Sequence, residues 1–171
     1  MFAKPIQYRF SGWTFLLLLA LPLWFGSCKK DKEEDGPGTV EGNWKVTSGK
    51  IDPSVSGFSD FVLIGNTYNQ STCLTDLTVS FKADGKLQLD NPASCDKINP
   101  KVIANATGIE TNSAWVHTGD KLTLTTTDGV KQEYGVSVNN KTMQLTFSKD
   151  ADWDNDGKPS NYNYTLVFTR Q

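Results

Sequence analysis

The segment Asp76–Asp90, DLTVSFKADGKLQLD, admits few folds. Leu77, Val79 and Phe81 alternate with polar residues, and Leu87 and Leu89 do the same beyond Ala83-Asp84-Gly85. Strict period-two alternation marks antiparallel strands with one buried and one wet face. Turn parity tests how the two runs pair. A two-residue turn at Asp84-Gly85 would set Phe81 against Gln88, apolar opposite polar. A three-residue loop Ala83-Asp84-Gly85 sets Phe81 opposite Leu87 and Val79 opposite Leu89. That register predicts a type I turn closed by Gly85 in the left-handed region as a G1 bulge.

The same alternation recurs from Val40 to Gln171, with no helical period of useful length. Trp44 and Val46 alternate, then Leu122 and Leu124, then Tyr134, Val136 and Val138. Met143, Leu145 and Phe147 follow, and the last run is Tyr162, Tyr164, Leu166 and Phe168. The loop Thr127-Asp128-Gly129 predicts a second three-residue hairpin that pairs Leu122 with Tyr134. Asn139-Asn140 suits a two-residue type I′ turn, which places Val136 across from Met143. Successive strands joined by tight turns predict an all-β fold, an antiparallel up-and-down barrel of about eight strands. Such a barrel is either filled by its own side chains or holds one small ligand. Two stretches are less legible. Ile51–Thr72 carries an apolar cluster, Phe58 and Phe61–Ile64, that reads as a short helix over one barrel mouth or as an irregular strand. In Asn91–Asn112, Ile98, Val102 and Ile103 suggest one strand.

Upstream of the domain, residues 1–27 read as an export signal. Lys4 and Arg9 precede the apolar run Trp13–Phe25, whose 13 residues fall short of the about 20 that a bilayer core requires. Gly26-Ser27 then leads into Cys28, a pattern that resembles the lipobox of bacterial lipoproteins, with Phe25 where Leu is usual. Lipidated Cys28 would be followed by a charged, flexible tether through Thr39, KKDKEEDGPGT, which has nothing to bury. The expected location is the outer membrane, by a lipid anchor. Cysteine arithmetic agrees: of three cysteines, lipidation of Cys28 leaves Cys73 and Cys95 to form a disulfide in an oxidising compartment. Loss of the leader moves the formal charge from −2 to about −4, and a mildly acidic domain without a basic cluster argues against nucleic acid as a partner.

Several motifs together resemble a known family. Gly42-Asn43-Trp44 is similar to the GxW signature of lipocalins. The wider set resembles the lipocalin-like lipoproteins of Bacteroidetes: GNWKVTS, Cys73-Leu74-Thr75-Asp76 leading into TVSFKADGK, Cys95, Trp115 ahead of KLTL, and YGVSVNNKTMQL. The resemblance covers roughly Val40–Arg170. In lipocalins a basic residue late in the barrel covers the first-strand Trp, so it implies a cation–π contact between Arg170 and Trp44; alternatively Trp44 is a plain core aromatic and Arg170 a solvated end.

Catalytic machinery is not evident. His117 is the single histidine, too little for a hydrolase triad or a zinc site. The inward positions Trp44, Phe81, Trp115, Tyr134, Met143, Phe147, Tyr162 and Tyr164 form the candidate wall for a small apolar ligand, and equally the side chains of a packed core. The loop Ser148–Asn161 joins two strands and is long for a hairpin. Its Asp150, Asp152, Asp154 and Asp156 form a candidate calcium site, because Asp152-x-Asp154-x-Asp156-Gly157 resembles the opening of calcium loops. Pro159 and Asn163 depart from that pattern. Two function classes follow: a lipid-anchored binding module for a small hydrophobic ligand, or a non-catalytic accessory subunit of an outer-membrane assembly with a filled barrel and a protein partner.

Overall fold

A computed structural model describes residues 38–153 and 156–171 of the chain. The export signal, Cys28 and most of the tether lie outside the described residues, as do Asp154 and Asn155.

The alternating runs form nine strands. In chain order they are β1 (Gly42–Val55), β2 (Phe58–Asp60), β3 (Thr78–Phe81), β4 (Leu87–Leu89), β5 (Ala114–Thr118), β6 (Lys121–Thr125), β7 (Lys131–Val138), β8 (Thr142–Ala151) and β9 (Ser160–Arg170). Eight lie in the order β4-β3-β1-β9-β8-β7-β6-β5, all antiparallel, and β2 folds back onto the end of β1. The last strand therefore returns to the first, as an up-and-down barrel requires. The remaining seam lies between β4 and β5. It is sewn by Leu87 N–H to the Ser113 carbonyl (2.8 Å), Asn112 N–H to Leu87 (2.8 Å) and Trp115 N–H to Gly85 (2.8 Å). The barrel is nearly closed.

Two of the three turns have the register that parity dictates. Phe81 pairs with Leu87 and Val79 with Leu89, and Gly85, at φ +77°, donates its N–H to the Lys82 carbonyl at 3.0 Å. Only a residue without Cβ adopts that conformation without cost, so Gly85 sets the register of the hairpin. Leu122 likewise pairs with Tyr134. The third turn differs. Val138, not Val136, faces Met143, and Val136 faces Leu145. The Asn139 side-chain oxygen accepts from the N–H groups of Lys141 (2.9 Å) and Thr142 (2.7 Å). Asn139 N–H itself bonds the Thr142 carbonyl. None of Asn139, Asn140 and Lys141 has positive φ, so the connection is not type I′: an Asx side chain shapes it instead. The slip is even, and the same face still points inward.

The first less legible stretch is strand and then helix, the end of β1 with β2 ahead of a helix, and the regular parts of the second are helical. After β2 comes α1 (Phe61–Tyr68), and a four-residue turn, α2 (Cys73–Asp76), precedes β3. The 91–112 segment contains no strand: a short 3₁₀ turn at Ala93–Cys95 leads to α3 (Pro100–Thr107). Its start and stop signals are in the sequence. Asn99 caps the Lys101 N–H at 3.0 Å, Pro100 occupies the first turn, and Gly108 ends the helix in the left-handed conformation. Val102 and Ile103 lie on this helix and Ile98 precedes its cap, so none of the three is on a strand.

The barrel interior is filled. Trp44, Phe81, Tyr134, Met143, Phe147, Tyr162 and Tyr164 are all buried, with Leu122, Leu124, Leu145, Leu166 and Phe168 between them. Strand β1 reaches this interior in two phases. Trp44 and Val46 point inward, and beyond a bulge between Val46 and Ser48 the inward positions become Gly49 and Ile51. Gly49 is where α1 comes closest: a Cβ there would lie 2.6 Å from Val62 Cγ2 and 2.7 Å from Phe61 Cε1. Glycine at this position lets the helix lie on the barrel rim.

Candidate functional site

Three devices hold the helical segments at one end of the barrel. Asp60 Oδ1 accepts from Val62 and Leu63 N–H (3.0 Å each), capping α1, and from Gly49 N–H of β1 (3.2 Å), fastening the cap to the barrel. The Cys73–Cys95 disulfide, with Cα atoms 4.7 Å apart, ties α2 to the 3₁₀ turn. Around it Leu77 and Ile103 form a small second core, with Leu74, Leu89 and Ile98 packed against it. Finally, the Tyr134 hydroxyl donates to the carbonyl of Thr107 at 2.7 Å, the end of α3. Burial pushes this phenol far above its ordinary pKa, because the charged form would lose its water.

Between these segments and the barrel rim lies a cleft of about 530 Å³. Phe61, Ile64 and Tyr68 line it from α1, Cys73 and Leu74 from the disulfide segment, and Ile98, Val102 and Ile103 from α3 and its approach. The barrel contributes Ala151 and Tyr164, and Trp153 follows β8. An aromatic ladder leads from the cleft into the core. Phe61 meets Tyr164 edge-on (5.4 Å), Tyr164 stacks on Phe147 (5.0 Å, 11°), and Tyr134 meets Phe147 edge-on (5.4 Å). The Trp153 indole N–H donates to the Tyr164 hydroxyl at 2.9 Å, which satisfies the phenol at the cleft wall. Among the described residues Lys149 is the single charged side chain of the lining, and its ammonium donates to the Asn105 carbonyl.

Of the eight inward residues read from the sequence, Tyr164 alone reaches this cleft. Trp115 is half-buried at the barrel seam, edge-on to Phe81 at 5.7 Å, and its indole donates to the Lys82 carbonyl. The other six stand in the packed interior. Sequence reasoning did not identify Leu74, Ile98, Val102, Ile103 and Trp153 as one surface. The available signals were the capping residues of α3 and an aromatic, Trp153, inside an otherwise acidic run.

That acidic run is shorter as a loop than the alternation indicates, because β8 and β9 stay paired out to Ala151 and Ser160. Asp150 lies on β8 and accepts from the Asn161 amide at 2.8 Å. Asp152 accepts from Asp156 N–H (3.1 Å) and Gly157 N–H (3.0 Å), closing the loop on itself. Asp156 accepts from Lys158 N–H at 2.8 Å, and Asp154 lies outside the described residues. Among the described residues no three His, Cys, Asp or Glu side chains gather as a metal site. His117 sits on β5, its Nε2 2.8 Å from the Gly119 carbonyl, and lines neither the cleft nor the core.

Trp44 is fully buried at the other end of the ladder of inward residues, and Arg170 lies over it, the guanidinium carbon 4.1 Å from the ring centroid. No curated protein matches the chain, and no solved structure does. A family model described as a lipocalin-like domain matches residues 40–145, a span that runs from two residues before β1 into β8 and takes in Trp44, the disulfide and α3. That span is more than half of the chain, and together with the nearly closed antiparallel barrel it shows that the chain belongs to the lipocalin-like domain family.

Proposed function

We propose that this protein is a non-catalytic binding module that holds a small apolar ligand in the cleft between the helical segments and the barrel rim. A lipidated Cys28 would tether it to the outer membrane. Lipocalin-like domains are typically non-catalytic binding proteins. The observation that carries the reading is the cleft itself. Its volume of about 530 Å³ suits a small-molecule site, and its walls are aliphatic and aromatic with a few polar groups at the margin. The barrel interior offers no comparable space, since its aromatic side chains pack on one another. The ligand position is therefore lateral to the barrel axis, at the helical segments.

A titration with the apolar fluorophore N-phenyl-1-naphthylamine tests this. One saturable site is expected in the native protein. The variant Val102→Trp, which fills the cleft from a half-exposed position, is expected to weaken binding at least tenfold while the melting temperature changes little. Equal binding by both proteins would refute the placement. The anchor is tested separately, by metabolic labelling with an alkynyl fatty acid in cells producing the native chain or Cys28→Ser.

The accessory-subunit reading draws on a different observation. Tyr68 is 86% exposed and Val102 51%, and both line the cleft, an apolar margin that a protein partner could cover. Crosslinking from a photoreactive residue at Tyr68 would report such a partner directly.

A further inference from the structure

The apolar cleft continues into a second groove of different chemistry. This groove, of about 610 Å³, shares Asn66, Asn69, Ser71 and Ile98 with the cleft. Its other walls come from Thr67, Gln70 and Thr72 on one side and Ala93, Ser94, Asp96 and Lys97 on the other. The segment Asn66–Thr72, NTYNQST, supplies amides and hydroxyls and no charge. The two ionic residues that line the groove, Asp96 and Lys97, are neighbours of opposite sign, and the adjacent Asp76 carboxylate accepts from the Thr72 hydroxyl.

Several of these polar groups are held in place by bonds within the chain. The Asn69 amide donates to the Gly65 carbonyl at 2.8 Å, the Ser71 hydroxyl to the Ser94 carbonyl at 2.6 Å, and the Thr72 hydroxyl to Asp76 at 2.6 Å. Those bonds use donors; the Ser71 oxygen also accepts from Cys73 N–H at 3.1 Å, which leaves it one lone pair, and the Asn69 and Thr72 side-chain oxygens keep theirs as acceptors. Gln70 is held in the left-handed backbone region, φ +48°, a conformation that costs free energy for a residue with a Cβ and recurs where binding surfaces need a side chain aimed in one direction.

Resting on the binding reading above, we infer that the ligand is an amphiphile with an uncharged, hydrogen-bonding head, a polyol or sugar, in the groove and its apolar tail in the cleft. An anionic head would find Lys97 offset by Asp96, and the Lys149 ammonium, already bonded to the Asn105 carbonyl, is not part of the groove. A cationic head would find Asp96 offset by Lys97 and Asp76 already engaged by the Thr72 hydroxyl. A neutral polyhydroxylated head meets amides and hydroxyls, which suit its own alternation of donors and acceptors.

Four probes with one tail and different heads test the inference on the full domain: decyl glucoside, decanoate, decyltrimethylammonium and decan-1-ol, each below its micellar concentration, followed by calorimetry. The glucoside is expected to bind at least tenfold more tightly than decanoate or decyltrimethylammonium. The paired substitution Thr67→Val with Gln70→Met, at positions that line the groove and not the cleft, is expected to remove that advantage and to leave decan-1-ol binding unchanged. If decan-1-ol and decanoate bind as tightly as the glucoside, the head-group inference is wrong while the cleft reading stands. If none of the four binds, the cleft reading itself fails. If the paired variant loses decan-1-ol together with the glucoside, the groove has no separate role and the inference is again overturned.

Discussion

Arg170 and Trp44 face each other across the β1–β9 ladder, and the guanidinium that covers the indole also closes the end of the barrel. Its Nε donates to the Asn140 carbonyl (2.9 Å), one terminal nitrogen to Glu41 (2.9 Å) and the other to Thr39 (2.6 Å). Beneath it the Trp44 indole N–H bonds the Val40 carbonyl at 2.8 Å. A planar fork with several donors is needed, and lysine cannot replace it. Arg170→Lys is expected to lower stability by about 1 kcal/mol and Arg170→Ala by about 2 kcal/mol, read from urea denaturation midpoints. Equal stability of the native protein and Arg170→Lys would show that the fork geometry is immaterial.

Tyr134 gives a pH signature. Its phenol stays neutral in the native protein well above the ordinary value of 10.0, whereas in the unfolded chain it ionises there. The native state therefore retains a proton that the unfolded state releases. The stability this confers is complete below pH 10 and falls by about 1.4 kcal/mol per pH unit above it. Tyr134→Phe is expected to lose about 1 kcal/mol at pH 7, from the missing bond to Thr107, and to show a shallower decline between pH 10 and 11. Parallel slopes for the two proteins would contradict the burial of this group.

Asp60 is expected to couple the helical segments to the barrel. One carboxylate oxygen caps α1 and also holds Gly49 N–H, so Asp60→Ala leaves three donors without that partner. A loss of about 1–2 kcal/mol is expected. N-phenyl-1-naphthylamine affinity should fall as well, because Phe61 and Ile64 belong to the freed helix. Hydrogen exchange along α1 would locate the change.

Removal of the disulfide by Cys73→Ala with Cys95→Ala is expected to cost about 3 kcal/mol in the chain-entropy account of a loop this size. The larger effect is local. Cys73 and Cys95 form the centre of the second core with Leu77 and Ile103, and Ile103 is a cleft wall. Dithiothreitol on the native protein should therefore weaken apolar-probe binding before it unfolds the barrel, as followed by circular dichroism.

Most of the barrel is legible in the sequence, for a physical reason. Period-two alternation and a three-residue turn leave one register that buries Phe81, Leu87, Leu122 and Tyr134 together, and Gly85 excludes the competing turn. The contact of Arg170 with Trp44 was implied by family resemblance, not by spacing. The turn at Asn139 was misplaced because a side-chain oxygen can substitute for the backbone geometry that Asn-Asn suggests. Helix α3 was missed because Ile98, Val102 and Ile103 drew more weight than Asn99, Pro100 and Gly108. The cleft is less legible still, since Phe61, Leu74, Ile103, Ala151 and Trp153 share no local pattern. They meet because a disulfide, an Asp cap and a tyrosine hydroxyl bring separate segments to one rim.

The most direct test of the account is the position of a bound apolar molecule, read by methyl NMR on isoleucine-, leucine- and methionine-labelled protein titrated with decan-1-ol. The methyls of Ile64, Leu74, Ile98 and Ile103 are expected to shift progressively to saturation, with those of Leu122, Met143, Leu145 and Leu166 unmoved. Shifts concentrated at Met143, Leu145 and Leu166, with Ile98 and Ile103 silent, would place the ligand inside the barrel and contradict the central claim.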